Sequence, residues 1–330
     1  MPSSARKAVS AIAVAIMIIA WLVLRPARPA VIRRNFQVMG TTGQVIAVAD
    51  NHRTADAAIA KAVEALASVE RIMSYHDPNS ELSVLNRLAE QEDYHASPHL
   101  FDVIALGVEM GRRSDGAFDI TVGPLVDLWR QAKTTGKAPT AEETAAAKSA
   151  VGYDKLVVDS DRRTIRFAAK GMRIDLGGIA KGYGVDLAVE AMKAAGAAGG
   201  LVQVGGDIRC FGPSPAGNQA WKIGIQRPAA PGEVQTGEYA MVLAISDMAV
   251  STSGDYQRFV VVDGIPYSHI ISTATGGSAR EFSSVTIIAS IAAEADALAT
   301  AASVMGKERA ILMLEDADIA AILISPSPEY

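Results

Sequence analysis

The sequence predicts an α+β fold, a single large domain with a mixed, largely antiparallel sheet and helices, set after an N-terminal hydrophobic segment. Three observations carry this. Strand-like apolar runs fall close together across short turns, which suits hairpins better than crossover connections. Helical-period segments are scattered among them, and regular strand–helix–strand units are few. The 330 residues, 49% hydrophobic and 20% charged, suffice for a sizeable buried core, and they contain no repeat or low-complexity tract.

The N-terminus stands apart. Residues 8–24 are apolar except for Ser10, and Arg6 and Lys7 precede them. The run is longer than a usual signal-peptide core and shorter than an average spanning helix. It reads as an uncleaved anchor or a signal peptide. With no convincing small-residue cleavage site and no cysteine for a lipid, the anchor is favoured. Arg25, Arg28, Arg33 and Arg34 follow, and on the positive-inside rule alone they argue for a cytoplasmic body. Residues 1–34 are therefore taken as anchor or signal with linker, and 35–330 as the body.

Within the body, residues 36–49 read as two strands around a turn at 40–43. Thr54 is the expected cap of a helix with apolar Ile59, Val63, Leu66 and Met73. Asp77-Pro-Asn-Ser80 is turn chemistry. Ser97 followed by Pro98 marks a helix start, and that helix runs to about 113. Thr140 caps another to 150. Residues 156–159 and 164–167 read as a hairpin, 172–176 as a strand running into Gly177-Gly178, and 179–194 as a helix. Further strands are expected at 201–210, interrupted by Gly205-Gly206, and at 221–226, 239–245, 258–262, 267–271 and 284–289, with a small-residue turn over 251–256 before the fourth of them. A helix over 292–305, a shorter helix and a final strand close the chain.

Residues 1–34 hold six bases and no acids, which leaves 25 Lys and Arg against 36 Asp and Glu in the body. A body that acidic is a poor nucleic-acid binder, because phosphate contacts need clustered cations. Cys210 is the one cysteine, so no intramolecular disulfide forms, and a buried, inert strand residue is its ordinary role.

Several segments carry chemistry. Asp175-Leu-Gly-Gly-Ile-Ala-Lys-Gly182 places a glycine pair before a helix start. There the backbone can approach a ligand, free amides and the helix dipole suit phosphate, and Lys181 adds charge. The spacing is neither Walker A nor the dinucleotide fingerprint, and taken alone a structural Gly-Gly turn is the commoner reading. Asp296 and Thr300 lie four apart on one helix face, a carboxylate and a hydroxyl of the hard-oxygen kind Mg²⁺ prefers. Alone, Asp296 also suits a helix's first turn. His269 sits among small polar neighbours, and a lone histidine is usually structural. No nucleophile elbow or Cys–His pair occurs.

Taken together, these segments resemble the ApbE-type FAD:protein FMN transferase family. The similarity runs from about residue 36 to 306 through Met39-Gly-Thr-Thr42, Met73-Ser-Tyr-His-Asp-Pro-Asn-Ser-Glu-Leu-Ser83 and Gly116-Ala-Phe-Asp-Ile-Thr-Val-Gly-Pro124. It continues through Asp175 to Tyr183, Val204-Gly-Gly-Asp-Ile-Arg209, Ser251-Thr-Ser-Gly-Asp-Tyr256, Tyr267-Ser-His-Ile-Ile271 and Glu294-Ala-Asp-Ala-Leu-Ala-Thr300. The resemblance implies Mg²⁺-dependent transfer of FMN from FAD, the substrate, to a Thr or Ser of a partner, with AMP leaving. The implied partner is a flavin-bearing subunit of a membrane redox complex. The implied location is the bacterial inner membrane with the catalytic domain facing the periplasm, or the periplasm itself if the segment is cleaved.

Carried over by position, Gly178, Ala299, Asp296 and Thr300 match the metal site. Met39, Ala117, Phe118, Asp119, Asp175, Lys181, Ser268 and His269 match flavin-nucleotide contacts. A family tyrosine aligns with His76, beside Tyr75, and either ring suits stacking on the flavin or adenine. His269 is the candidate base, since an imidazole titrates near neutral pH, and Asp119 and Asp255 are rivals. The chain departs from the family after His269-Ile-Ile271, where Ser272 stands in place of an acid. Two alternative functions follow: an FAD-binding protein without transferase activity, and an FAD pyrophosphatase giving FMN and AMP.

Overall fold

The computed structural model describes residues 29–217, 219–228, 237–254, 259–262, 265–268, 270–279 and 281–326. The apolar run at 8–24, His269 and Asp255 lie outside the described residues. Among the described residues, no helix is long and apolar enough to cross a membrane.

Strand β1 (Ala30–Val38) pairs antiparallel with β2 (Thr41–Ala49) around Met39 and Gly40. Both turn residues have positive φ, 51° and 67°, as a two-residue hairpin of the primed type requires. The turn is thus tighter than the one expected over 40–43, and the first strand begins before residue 35. Helix α1 (His52–Met73) is capped by Asn51, whose side chain accepts from the Thr54 amide, so the cap lies three residues before the one expected. Helix α2 (Glu81–Leu88) was not anticipated; Ser80 caps it. A short strand β3 (Tyr94–His95) precedes α3 (Pro98–Arg113), which starts at the expected proline. Next come α4 (Gly123–Thr135) and α5 (Ala141–Ser149). The latter carries a full capping box between Thr140 and Glu143.

The expected hairpin β4 (Leu156–Asp159) and β5 (Thr164–Phe167) joins β3 in a small sheet. Helix α6 (Ala180–Ala194) follows. Residues 201–210 are not one strand but a hairpin of β6 (Gly199–Val204) and β7 (Asp207–Phe211) around Gly205-Gly206. Strands β8 (Trp221–Gln226) and β9 (Tyr239–Ile245) pair with each other. Residues 249–254, partly read as a turn, form β10 (Ala249–Gly254). Strands β11 (Phe259–Val262) and β12 (Ile265–Ser268) form a second small hairpin. Strand β13 (Ser284–Ala289), helices α7 (Ala292–Met305) and α8 (Lys307–Asp316), and β14 (Ala320–Ile324) complete the order.

The main sheet runs β1-β2-β6-β7-β10-β13-β14, and each neighbouring pair is antiparallel. Strand β2 explains how it is covered. Val45, Ala47 and Ala49 face α1 and α6, while Ile46 and Val48 face the β8–β9 hairpin. Burial on both faces is why this strand reads as a continuous apolar run rather than an alternating one. Trp221, Ile223 and Ile225 pack down onto Ile46, Leu201, Cys210 and Val250. A further core joins α2, α3 and β5 to α7 and β13. The functional residues gather where the β1–β2 turn, the β6–β7 turn, the head of α6 and the first turns of α7 converge.

Candidate functional site

Glycine sets the crossing of α6 and α7. A Cβ at Gly182 would lie 2.3 Å from the Ala292 carbonyl oxygen, so only glycine permits this approach. Asp186, one turn on, accepts from the amides of Ala292 and Ala293 at 2.9 Å each and caps α7, which has no side-chain cap of its own. Arg209 pairs with Asp186 at 2.9 Å. Fixed in this way, α7 presents Asp296 to α6. The Gly182 amide donates to Asp296 Oδ2 at 3.1 Å, and Lys181 Nζ lies 3.2 and 3.1 Å from the two carboxylate oxygens.

Lys181 also pairs with Asp207 Oδ2 at 2.7 Å, and Ser251 donates to Asp207 Oδ1. Burial alone would lower the lysine's pKa. The two carboxylates, Asp207 first, outweigh it and raise the value above the ordinary one, so the ammonium stays charged. Burial, followed by repulsion from Asp207, pushes Asp296 up to about 6 against the pull of Lys181.

The turn before α6 is built on Asp175. Its Oδ1 accepts the Gly177 amide at 2.7 Å, its own amide donates to the Ile120 carbonyl at 2.8 Å, and its Oδ2 lies 3.5 Å from Arg130. Burial raises the Asp175 carboxyl, opposed by that Gly177 bond, Arg130 and His76. Residues 172–176 make only an isolated bridge, Val122 with Arg173, instead of the expected strand. Nor are the amides at the head of α6 as free as expected. Gly177 donates to Asp175, Ile179 and Ala180 to the Leu176 carbonyl, and Gly182 to Asp296. The positive character of this helix end therefore rests on its dipole, because Lys181 is paired with Asp207 and Asp296.

Phe118 packs on Gly178, and a Cβ there would lie 3.1 Å from the Phe118 ring and 3.2 Å from Thr300 Oγ1. The loop carrying Ala117 and Phe118 is tied down by Ser114 Oγ, which accepts the Phe118 amide at 3.0 Å. Asp119 closes it. Its Oδ1 accepts from the Thr121 amide at 2.8 Å and hydroxyl at 2.7 Å, and its Oδ2 from the Tyr153 amide at 2.8 Å. Burial raises the Asp119 carboxyl against those donors. With both oxygens engaged by donors of the loop and of Tyr153, Asp119 braces this segment.

Tyr75 and His76 differ in availability. The Tyr75 hydroxyl donates to Asp127 at 2.8 Å, and the Arg130 guanidinium sits 4.5 Å above its ring. Burial and Asp127 raise the phenol. His76 is exposed, edge-on to Tyr75 with centroids 6.3 Å apart, and is the ring open to a ligand. Met39, in the β1–β2 turn, donates its amide to Glu70 at 2.9 Å.

The loop after β12 folds toward the same region. Trp129 Nε1 donates to the Gly276 carbonyl at 2.8 Å, and Thr273 Oγ1 to the Gly116 carbonyl at 2.8 Å. Ser272 is buried in a tight turn in which its carbonyl accepts the Gly276 amide at 2.7 Å. Its hydroxyl lies 3.4 Å from the Thr275 amide, a weak version of the turn-capping contact an aspartate makes. Ser268 ends β12, and nothing of its side chain is described.

Asp296, Thr300, Gly178, Lys181, Phe118 and Asp175 are thus joined through direct contacts or adjacent turns. Among the described residues, no group of three His, Cys, Asp or Glu is placed to hold a metal. A divalent ion would instead need mixed oxygens: the Asp296 carboxylate, the Thr300 hydroxyl and the Gly178 carbonyl. That donor set and the cradle left by the absent Gly178 Cβ fit Mg²⁺. The Ala299 carbonyl already accepts the Ser303 hydroxyl at 2.8 Å. Three residues that sequence reasoning left without a role belong to the site: Asp207, Ser251 and Arg130. The first two lie in motifs already noted, and the buried aspartate after Gly205-Gly206 was the available signal.

The model of the ApbE family matches residues 39–323. A Haemophilus influenzae protein named FAD:protein FMN transferase is 32% identical over 304 residues, covering 89% of this chain and 86% of that protein. The crystal structure of the ApbE protein from Thermotoga maritima superposes with a TM-score of 0.80 at 31% identity, over 90% of this chain and 94% of that one. The flavin transferase ApbE from Vibrio cholerae gives 0.78 at 29% identity, over 91% and 95%. With a family model matched over residues 39–323 and a relative 32% identical along most of its length, this chain belongs to the ApbE family.

Proposed function

We propose that this chain is an FAD:protein FMN transferase, moving FMN from FAD onto an acceptor protein. The observation that carries the reading is the packing of the Asp175–Lys181 turn against Asp296 and Thr300, in a chain with relatives of that name along most of its length.

In the finer reading, the acceptor is a Thr or Ser hydroxyl. Its oxygen bonds to the FMN-side phosphorus of FAD, the bond from that phosphorus to the AMP oxygen breaks, and AMP leaves with the electron pair. The hydroxyl proton passes to a base, assigned to His269 from the family resemblance. Asp296, Thr300 and Gly178 would hold Mg²⁺, which supplies charge neutralisation at the pyrophosphate. Lys181 holds Asp296 from the head of α6, so the carboxylate that would carry the ion is already in place. Asp119 keeps Ala117 and Phe118 against Gly178, and His76 offers its exposed ring to the flavin or adenine. Positioning and electrostatics dominate such transfers.

The acceptor is proposed to be a subunit of a membrane redox complex. The chain itself is proposed to be held in the bacterial inner membrane by residues 8–24, with its body in the periplasm. The apolar run and the family resemblance support this, and the arginines after the run oppose it. A reporter fused after Tyr330 tests the orientation: activity of a periplasm-dependent reporter supports it, and activity only of a cytoplasm-dependent one overturns it.

The reaction is tested by incubating the chain with FAD, Mg²⁺ and a candidate acceptor, following AMP by chromatography and flavin fluorescence on a denaturing gel. AMP with a fluorescent acceptor band is the expected result. AMP alone would make the chain a pyrophosphatase. Bound FAD with neither product, using an acceptor that a related enzyme modifies, would make it a flavin-binding protein.

A further inference from the structure

We infer that Asp207 is a positioning residue for the divalent-cation site: it shares the Lys181 ammonium with Asp296, so that the three groups together keep one net negative charge for the metal. The inference rests on the metal reading proposed above and adds a residue to it.

Asp207 and Asp296 are both buried, 1% and 3% exposed, and one lysine lies between them. The contacts are unequal. Lys181 Nζ is 2.7 Å from Asp207 Oδ2, but 3.1 and 3.2 Å from the oxygens of Asp296. Asp207 Oδ1 is engaged by the Ser251 hydroxyl. Asp207 Oδ2 is buried without an aligned hydrogen bond, and Lys181 is its counter-charge.

A buried carboxylate held by a single ion pair is costly to keep, so it calls for a reason. Charge balance provides one. A lone Lys181–Asp296 pair would be neutral and offer a divalent ion little attraction. Adding Asp207 leaves the trio with one net negative charge. It also gives Lys181 a closer partner when a second cation arrives at Asp296, where the two cations would otherwise repel. The β6–β7 hairpin makes this possible by setting Asp207 directly after the Gly205-Gly206 turn, facing the head of α6.

The test uses Mn²⁺ as probe, with free and bound ion measured by electron paramagnetic resonance on the full chain. Asp207→Asn keeps an acceptor for Ser251 and removes the charge. It is expected to weaken Mn²⁺ binding by about tenfold or more. Lys181→Met is expected to bind Mn²⁺ at least as tightly as the parent, and it tests the same claim should Asp207→Asn fail to fold. The double variant is expected to return to within about threefold of the parent, because each change removes one charge of the opposed pair. Weak binding by Lys181→Met, or no recovery in the double variant, overturns the inference and leaves Asp207 a purely structural residue. Parent-like binding by Asp207→Asn overturns it too. If the parent chain binds no Mn²⁺, the metal reading itself falls, and this inference falls with it.

Discussion

Gly182 donates its amide to Asp296 Oδ2 at 3.1 Å, which joins the first turn of α6 to the second turn of α7. The contact exists because a glycine sits where the helices touch and because Asp186 fixes the start of α7. The position of the candidate metal carboxylate is therefore a property of the helix crossing as much as of Asp296 itself.

Gly182→Ala places a methyl 2.3 Å from the Ala292 oxygen and 2.8 Å from the Ala293 Cα, both backbone atoms. Overpacking of this kind costs about 1–3 kcal/mol. Thermal unfolding should show that loss, together with a larger fall in FAD turnover than a surface Gly→Ala change gives. Unchanged stability would mean that the crossing tolerates a side chain.

His76 and Tyr75 should separate cleanly. His76→Ala removes the exposed ring and should weaken FAD binding by about 1 kcal/mol if the ring stacks on the ligand. Tyr75→Phe removes the hydroxyl bond to Asp127 and should cost about 0.5–1.5 kcal/mol of stability with little change in FAD affinity. Titration of FAD fluorescence against both variants checks this; the reverse pattern would return the stacking role to Tyr75.

These differences mark what was legible in the sequence. Local signals were. Ser97-Pro98 and Thr140 each marked a helix start, and the structure has α3 and α5 there. Gly205-Gly206 was noticed but read as an interruption, because a glycine pair inside an apolar run signals a bulge as readily as a turn. Residues 172–176 looked like a strand because apolar Met172, Ile174 and Leu176 alternate with charged Arg173 and Asp175, but Gly123 packs on the Arg173 backbone and they join no ladder. The choice between Tyr75 and His76 was not legible at all. It depends on Asp127 and Arg130 of α4, and no local pattern announces such a contact. The family motifs supplied Asp296 and Lys181, but their ion pair spans 115 residues of sequence and only the fold brings it together.

Asp119 gives a pH signature. Burial raises its folded pKa, so the native chain holds the proton at pH values where the unfolded chain has lost it. Its contribution to stability therefore falls as pH rises from the unfolded value of about 3.9 through the raised folded value. Asp119→Asn removes that slope and places an amide donor near the Tyr153 or Thr121 donors, at a cost of about 1–3 kcal/mol. Denaturant titrations should show the variant's deficit largest at acid pH and shrinking as pH rises through that window. A deficit that grows with pH would mean that the carboxylate is stabilised by folding.

Cys210 should be silent. It is 1% exposed beneath the β8–β9 hairpin, and burial raises its thiol above the ordinary value. A thiol reagent should leave the native chain unmodified and label it once after denaturation; stoichiometric labelling of the native chain would show that the hairpin opens.

Covalent transfer of FMN is open to direct test by mass spectrometry of the acceptor after incubation with this chain, FAD and Mg²⁺. The expected product is FMN joined through its phosphate to one Thr or Ser of the acceptor, with AMP in equal amount and neither product from Asp296→Ala. AMP formed at the same rate with and without acceptor, and an acceptor of unchanged mass, would contradict it.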